Sequence, residues 1–237
     1  MELIAIENKP DLLKNYLTSG IDYIMIDLEV YGKRDRQPGN TWKSTHTLAD
    51  LRMLKDFNVD LNRVIVRIDP IDSPDVFEMS KVINDVLPSR VMLPMWKSLE
   101  DVMSFDKMLD TSITRVLLFE TKLALKITRD IVRYIKDRDV NFECHFGLND
   151  LSLSLNHSSM FEVLDDAAFL ESVEILRRSS VFLGIGGVGS FSGTYPVKAK
   201  DVLELTKGLG SRRVILSRSF FKDTASVLDE VIEMKTY

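Results

Sequence analysis

The sequence predicts a (β/α)8 barrel that forms a single domain over residues 1–237. Short apolar runs rich in β-branched residues alternate with longer helix-like segments, and eight such units fit into the chain. No linker rich in Pro, Gly or Ser separates the units. A chain of 237 residues can bury roughly 70–75% of its unfolded surface in one core. Eight strand–helix units in this length are typical of a (β/α)8 barrel, and a doubly wound open sheet is the alternative fold.

The predicted elements follow in strict alternation along the chain. The strands are ELIAIEN, DYIMIDLE, RVIVRID, RVMLPM, TRVLLFET, NFECHFGL, VFLGIGG and RRVILSRSF. The helices are PDLLKNYLTSG, TLADLRMLKDF, SPDVFEMSKVINDVL, SLEDVMSFDKML, KLALKITRDIVRYIK, DDAAFLESVEILRRS, VKAKDVLELTKGL and FKDTASVLDEVIEM. Ser73 with Pro74 and Ser98 with Glu100 provide helix start signals.

Composition narrows the class of protein. The net charge of −5 and the scattered basic residues argue against a nucleic-acid partner. No apolar run approaches the 18 residues of a membrane helix, and the N-terminus lacks the features of a signal peptide, so we expect a cytoplasmic protein with no membrane partner. Cys144 is the only cysteine and lies in a strand-like run, where we expect it to be buried and structural.

The ends of the predicted strands carry the candidate functional residues, because the active site of a barrel lies at the C-terminal ends of its strands. Most of these residues are carboxylates, and they surround a single arginine. They are Asp27, Glu29, Arg67, Asp69, Pro94, Glu120, Gly147, Asn149 and Asp150, followed by a glycine-rich loop after the seventh strand.

Clusters of carboxylates suit Mg²⁺ or Mn²⁺, which use one or two protein carboxylates and leave other positions to water and substrate oxygens. A 2-oxoacid is a natural ligand of such an ion, and a nearby guanidinium would share the charge of an enolate. Structural alternatives remain open for each residue. Glu120 could pair with Lys122, Asp27 and Asp69 could cap turns, and Arg67 could close an ion pair at the barrel end.

The segment HFGLNDLSLSLN, residues 145–156, has two interpretations. Asp150 either caps a helix or holds a ligand, because Asn and Asp are both preferred N-cap residues. The alternation of Leu and Ser is typical of a half-buried strand or a short amphipathic turn.

The segments IDYIMIDLE, RVIVRID, VMLPM, FETKLAL and FGLNDLSLSL resemble the HpcH/HpaI aldolase and citrate lyase family of the phosphoenolpyruvate/pyruvate superfamily. The resemblance covers nearly the whole chain. Its most specific parts are Glu120, Asp150 and the arginine of the VRI run. The stretch IDLEVYGKRDRQPGNTWKSTHT, with GIGGVG and VILSRSF, is similar to a subgroup of uncharacterised members.

The resemblance implies roles for several residues. Glu120 and Asp150 would hold the divalent metal, and Arg67 would contact the pyruvyl oxygen. Backbone amides of the loop from Gly147 through Asn149 to Asp150 would face the substrate carboxylate, and Glu29 would lie near the metal-bound waters. On this basis Asp150 is predicted to be a metal ligand rather than a cap. The resemblance also implies a homo-oligomer, for which the last unit, VLDEVIEMKTY, offers an apolar helix face.

The sequence departs from the aldolase pattern at Val30, where the family carries a histidine that transfers protons. Valine cannot do this, so Glu29 and His46 become the candidates for proton transfer, with Glu29 preferred because it lies at a strand end. His46 is alternatively a surface turn residue in STHT.

Other features of the sequence have competing interpretations. His145 and His157 are predicted to be structural. The basic side chains Lys33, Arg34 and Arg36 either recognise an anionic substrate or form a solvated loop. GIGGVG, at 184–189, is a weak match to the dinucleotide fingerprint, because SFSGTYP follows it where a helix should begin. In a barrel these glycines would instead approach a ligand anion or form a mobile loop.

The preferred function is a metal-dependent carbon–carbon lyase of the aldolase type that acts on a small-molecule 2-oxoacid through a pyruvate-type enolate. Two alternatives remain. One is a citrate-lyase-like enzyme that cleaves an acyl thioester, and the other is a non-catalytic barrel that binds an oxoacid or a sugar.

Overall fold

The structure is a computed structural model that describes residues 1–33, 44–224 and 226–237. Eight parallel strands close into a barrel in sequence order, with β8 paired to β1, which confirms the predicted (β/α)8 fold. The strands are β1 (Glu2–Ile6), β2 (Tyr23–Asp27), β3 (Val64–Arg67), β4 (Arg90–Leu93), β5 (Thr114–Phe119), β6 (Phe142–Phe146), β7 (Phe182–Val188) and β8 (Arg213–Leu216).

Helices in the described parts of the chain surround this barrel. They are α1 (Pro10–Thr18), α2 (Leu48–Asp56), α3 (Val76–Val86), α4 (Leu99–Met108), α5 (Lys122–Lys126), α6 (Thr128–Lys136), α7 (Leu148–Leu155), α8 (Ala167–Arg178), α9 (Ala199–Gly208), α10 (Arg218–Asp223) and α11 (Val227–Thr236). Two 3₁₀ turns, Leu61–Arg63 and Met160–Asp165, join them. None of the helices described is both long enough and apolar enough to cross a bilayer.

The apolar residues form two layers, as a closed parallel barrel requires, because each strand buries both of its faces. A small cluster fills the interior of the barrel and consists of Ile4, Met25, Ile65, Met92, Val116 and Leu118. A much larger cluster lies between the strands and the surrounding helices. Cys144 belongs to this outer layer and is buried as predicted, and burial raises the pKa of its thiol.

Some predicted boundaries shift for local reasons. The single helix predicted over 122–136 is broken at Ile127, where the Thr128 hydroxyl donates to the Leu125 carbonyl at 2.8 Å. The segment RRVILSRSF does not remain a strand to its end. Ser217 caps α10, and its hydroxyl accepts from the Phe220 amide.

The glycine-rich loop predicted after the seventh strand is instead part of that strand. β7 continues through Val188, with a β-bulge between Gly184 and Gly187. Gly186 has a φ of +67°, a conformation that glycine adopts without steric cost. The interpretation of GIGGVG as a dinucleotide fingerprint is therefore wrong, because no helix begins at these glycines.

Candidate active site

A cavity of about 330 Å³ opens at the C-terminal ends of the strands. It brings together five of the predicted site residues, namely Arg67, Glu120, Gly147, Asn149 and Asp150. Its other lining residues are Ile6, Met25, Lys33, Leu118, His145, Leu148, Met160, Gly186, Gly187, Ile215, Ser217 and Arg218. Glu29 and His46, which the structure also describes, are not among the lining residues.

Arg67 is fixed at the cavity by a carboxylate on the neighbouring strand. The register of β2 and β3 sets Asp27 opposite Arg67. The Asp27 carboxylate accepts from Arg67 Nε and Nη2, both at 2.8 Å. Burial would raise the pKa of Asp27, but the charge and hydrogen bonds of Arg67 outweigh it and hold that pKa well below its usual range. The ion pair that was the structural alternative for Arg67 is thus observed. The same pair holds the guanidinium at the cavity, which Arg67 lines.

Two further charged groups extend this pair. The Glu29 Oε2 atom lies 3.4 Å from Arg67 Nε and 3.2 Å from Lys33 Nζ, and Lys33 Nζ is 3.5 Å from Asp27 Oδ2. Lys33 is buried and lines the cavity, so it is not a solvated loop residue. Arg34 and Arg36 lie outside the described residues.

Asp69 stabilises the chain that leaves β2. Its carboxylate accepts from the amides of Val30 and Tyr31 at 2.6 and 2.8 Å, and from the Ser73 hydroxyl at 3.1 Å. The turn-capping interpretation of Asp69 therefore agrees with the structure. Val30 itself is 51% exposed.

Glu120 and Gly147 follow two paired strands at the same level. Phe119 of β5 is opposite Phe146 of β6, and the Gly147 amide donates to the Phe119 carbonyl at 3.1 Å. A Cβ atom on Gly147 would lie 2.7 Å from Glu120 Oε1. The absence of a side chain at this position allows the buried Glu120 carboxylate to lie against the backbone.

Asp150 lies in the first turn of α7, and Gly147 is the N-cap, with no side-chain cap hydrogen bond. The alternative in which Asp150 caps the helix is therefore wrong, as is the expectation of a strand or short turn for the Leu/Ser alternation. The Gly147 amide donates to the Phe119 carbonyl within the barrel, and the amides of Leu148 and Asn149 lie in the first turn of α7, where backbone donors have no acceptor inside the helix.

The donor set fits a small divalent cation. Glu120 and Asp150 are both buried, follow adjacent strands and line one cavity. Neighbouring strands lie about 4.8 Å apart, a spacing that lets two such carboxylates reach a common ion. In the described part of the chain no group of three or more His, Cys, Asp or Glu residues could hold a metal. Among the described residues, the carboxylates that line the cavity are Glu120 and Asp150, and Mg²⁺ commonly uses one or two protein carboxylates.

His46 contacts the backbone of Asp27 at the end of β2. Its Nδ1 accepts from the Asp27 amide at 2.9 Å, so that nitrogen carries no proton and the ring is neutral with its hydrogen on Nε2. Burial lowers the pKa of His46, while the charges of Asp27 and Asp50 oppose this shift. The side chain supports the end of β2.

His145 was predicted to be structural, and it also lines the cavity. Its Nε2 lies 3.1 Å from the Gly186 carbonyl, and burial lowers its pKa to about 4. The ring is neutral, so Nε2 donates to that carbonyl. A Cβ atom on Gly184 would fall 2.2 Å from Nδ1, so the imidazole requires glycine there. His157 contacts Asp166 at 3.0 Å and is structural as predicted.

Sequence reasoning missed Ser217 and Arg218, which both line the cavity. The predicted eighth strand extended to Phe220. Ser217 and Arg218 were therefore placed inside the strand and not at its C-terminal end. Had that strand ended at Leu216, the rule that barrel sites lie at strand ends would have selected both residues.

Comparisons with known proteins find similar solved structures. No family model matches the chain, and no curated protein matches it. A citrate lyase from Burkholderia xenovorans LB400 superimposes with a TM-score of 0.68 at 13% identity, over 98% of this chain and 76% of that one. The citrate lyase beta subunit of Mycobacterium tuberculosis gives a TM-score of 0.66 at 15% identity, over 100% and 97% of the two chains.

RipC from Yersinia pestis gives a TM-score of 0.63 at 14% identity, over 99% of this chain and 94% of that one. The Mycobacterium tuberculosis citrate lyase beta subunit has also been solved with oxaloacetate and magnesium, again at a TM-score of 0.63 and with 16% identity over 97% and 95% of the chains. This chain thus has the barrel fold of the citrate lyase beta subunits, in agreement with the family resemblance of its strand-end motifs.

Proposed function

We propose that this protein is a metal-dependent carbon–carbon lyase that acts on a 2-oxoacid through a pyruvate-type enolate. The observation that carries the proposal is the convergence of the Arg67 guanidinium with the Glu120 and Asp150 carboxylates on one cavity at the C-terminal ends of the strands. The solved neighbours support it, since the Mycobacterium tuberculosis protein is described in complex with magnesium and pyruvate and with oxaloacetate and magnesium.

Glu120 and Asp150 are the residues that would hold Mg²⁺ or Mn²⁺. When bound there, the ion would supply a Lewis acid for the keto oxygen of the oxoacid. Arg67 donates to the same oxygen as negative charge develops on it, and Asp27 keeps the guanidinium in place. The first-turn amides of α7, at Leu148 and Asn149, bind the oxoacid carboxylate.

Glu29 is the proposed proton-transfer residue. Its carboxylate contacts both the Arg67 guanidinium and the Lys33 ammonium, which connects it to two cavity-lining side chains. His46 has already committed Nδ1 to the Asp27 amide. Loss of activity in His46→Ala, with Glu29→Gln still active, would reverse this assignment.

An acyl-thioester lyase is the second candidate function. Val30 replaces the histidine of the aldolases, and one neighbour from Mycobacterium tuberculosis is described with magnesium, acetoacetate and coenzyme A. Cleavage of an acyl thioester without turnover of free oxoacids would favour this candidate. A metal site that binds oxoacids and turns over neither class would favour the non-catalytic barrel.

The decisive experiment combines metal binding with proton exchange. We expect Mg²⁺ or Mn²⁺ to raise the melting temperature, and pyruvate to add to the shift only when metal is present. Glu120→Ala and Asp150→Ala should each abolish the metal response, while Asp139→Ala, at an exposed carboxylate, should retain it. The wild type should also exchange the methyl protons of pyruvate for deuterium, as followed by NMR. Unchanged metal affinity in both site variants, measured by calorimetry, would overturn the proposal.

The proposal includes a cytoplasmic homo-oligomer. On α11, Leu228 and Ile232 are four residues apart on one face and are 49% and 52% exposed, so they support a subunit contact through this helix.

A further inference from the structure

The turn that follows β2 places a lysine at the cavity. The Lys33 amide donates to the Val30 carbonyl at 3.3 Å, which closes a four-residue turn. Gly32 is the third residue of this turn and has a φ of +67°, a conformation that glycine adopts without steric cost. Val30, at the start of the turn, is half exposed, whereas Lys33, at its end, is buried and lines the cavity. The chain reversal therefore brings Lys33 to the site, while the residue at the histidine position of the aldolases lies at the surface.

Hydrogen bonds fix both ends of this turn. The Asp69 carboxylate accepts from the amides of Val30 and Tyr31 at 2.6 and 2.8 Å and so holds the start of the turn. At the other end, Lys33 Nζ donates to Glu29 Oε2 at 3.2 Å. The ammonium of Lys33 thus has a defined position at the cavity wall.

This last hydrogen bond connects a buried carboxylate with the cavity. Glu29 is only 1% exposed and is not among the residues that line the cavity, so its own path to a ligand is indirect. An ammonium group has three N–H donors, and the hydrogen bond to Glu29 uses one of them. Lys33 can therefore contact a ligand in the cavity while it remains in contact with Glu29.

Among the described side chains that line the cavity, Lys33 is the best suited to exchange a proton with a ligand. Glu120 and Asp150 are the proposed metal ligands. The ring N–H of His145 is donated to a backbone carbonyl, and the Ser217 hydroxyl caps α10. The arginines of the cavity are not deprotonated in proteins. Lysine, in contrast, can act as a general acid and as a general base.

We propose that Lys33 is the catalytic residue that transfers a proton to and from C3 of the 2-oxoacid, and that Glu29 acts through it. The inference rests on the proposed function, since it assumes that the oxoacid binds beside Glu120 and Asp150. When the enolate is protonated, an N–H bond of the ammonium breaks and a C–H bond forms at C3, while the electron pair of the N–H bond stays on Nζ. In the reverse direction Lys33 first passes a proton to Glu29 Oε2, and the resulting amine takes the proton from C3.

Exchange of the pyruvate methyl protons for deuterium tests this assignment. At saturating Mg²⁺ and pyruvate, Lys33→Arg should reduce the exchange rate about a hundredfold or more, because arginine keeps the charge but does not release its proton. The affinity for pyruvate, measured by calorimetry with Mg²⁺, should change by less than about threefold. Lys97→Arg, at an exposed lysine beyond the end of β4, is the matched control and should exchange like the wild type. A Lys33→Arg variant that exchanges at the rate of the wild type would overturn the inference.

Chemical rescue then tests the amine itself. Lys33→Cys should lose exchange, and alkylation with 2-bromoethylamine should restore at least part of it, because the new C–S bond places a primary amine close to the original Nζ position. Alkylation with 2-bromoethanol adds a chain of the same length that ends in a hydroxyl, and it should restore nothing. Cys144 is buried, so mass spectrometry should show a single added group. Equal activity of the two alkylated proteins would mean that Lys33 only fills space.

A double variant tests the link with Glu29. Glu29→Gln removes the group that accepts the Lys33 proton, so it should also slow exchange. If the two residues act on one proton path, Glu29→Gln combined with Lys33→Arg should be no slower than the slower single variant. Losses that multiply in the double variant would contradict the pairing.

Failure of the inference and failure of the proposed function give different results. If the wild type with Mg²⁺ binds pyruvate and exchanges its methyl protons while Lys33→Arg does the same, only the role of Lys33 is lost. If the wild type neither binds pyruvate nor exchanges its protons, the proposed function is overturned as well. A stable adduct of pyruvate on Lys33 after borohydride reduction would assign this lysine a covalent role and overturn the inference of proton transfer.

Discussion

At the scale of single residues, Arg67 combines a structural role with a proposed chemical one. It forms a two-point contact with Asp27, whose side chain is fully buried. Removal of one partner from a buried pair leaves an uncompensated charge, which is more costly than loss of an exposed pair. The two roles can be separated because lysine keeps the charge but lacks the planar fork.

We expect Arg67→Lys to reduce turnover of the oxoacid by on the order of a hundredfold, because the guanidinium donors at the substrate oxygen are lost. The melting temperature should change little, because lysine still places a positive charge beside Asp27. Arg67→Met should cost about 3–5 kcal/mol of stability, because Asp27 is left buried without its main partner. Steady-state kinetics and denaturant unfolding measure the two effects. A loss of stability in Arg67→Lys as large as that in Arg67→Met would mean that the residue is chiefly structural.

His145 should make stability depend on pH. Its folded-state pKa of about 4 lies below its ordinary value, so the unfolded chain binds more protons between the two values. Stability is then fully present above about pH 6.5 and falls as the pH drops toward 4. Between pH 7 and pH 5 the wild type should lose about 2 kcal/mol more than His145→Gln, as measured by urea unfolding. Parallel stability curves for the two proteins would contradict this assignment.

At the scale of secondary structure, the junction of β6 and α7 determines the geometry of the metal-binding carboxylates. Gly147 ends the strand, caps the helix and leaves space for the Glu120 carboxylate. Its φ of −91° is accessible to any residue, so a side chain here would act by displacing Glu120 and not by straining the backbone.

Gly147→Ala should therefore weaken Mg²⁺ binding by about tenfold or more, since its Cβ would compete with Glu120 Oε1 for the same space. Gly208→Ala is the matched control, because a Cβ there meets no atom within 4 Å. That variant should gain up to about 1 kcal/mol from helix propensity and keep the metal affinity of the wild type. Calorimetry with Mg²⁺ compares the three proteins. Equal affinities would show that Glu120 does not need the absence of a side chain at Gly147 in order to bind the metal.

At the scale of the whole molecule, the surface of α11 bears on assembly. Leu228 and Ile232 are exposed on one face, whereas Val231 and Met234 of the same helix pack on the barrel. We expect sedimentation to give a species larger than the 27.1 kDa monomer at micromolar concentration. Ile232→Glu should shift it toward the monomer, because a charge would have to be buried in the subunit contact. A wild-type monomer under these conditions would contradict the proposed homo-oligomer.

The sequence by itself determined the order of the elements and most of the candidate site residues at the C-terminal ends of the strands. Eight apolar runs predicted eight strands because parallel barrel strands are buried on both faces and their sequences are continuously apolar. The rule that barrel sites lie at strand ends then selected Arg67, Glu120 and Asp150 before their proximity was known. These features are readable because they depend on local pattern and on the order of the strands.

Only the tertiary structure decided which side chains share a cavity. The Asp27–Arg67 pair depends on the register between β2 and β3, and Gly184 is required because His145 packs against it from the adjacent strand. The place of His46 behind Asp27 depends on a contact across 19 residues of chain. Arg218 was not selected as a strand-end residue, because an apolar run shows that a strand exists more clearly than it shows where the strand ends. Such contacts join residues that are distant in sequence, and no periodicity in the chain encodes them.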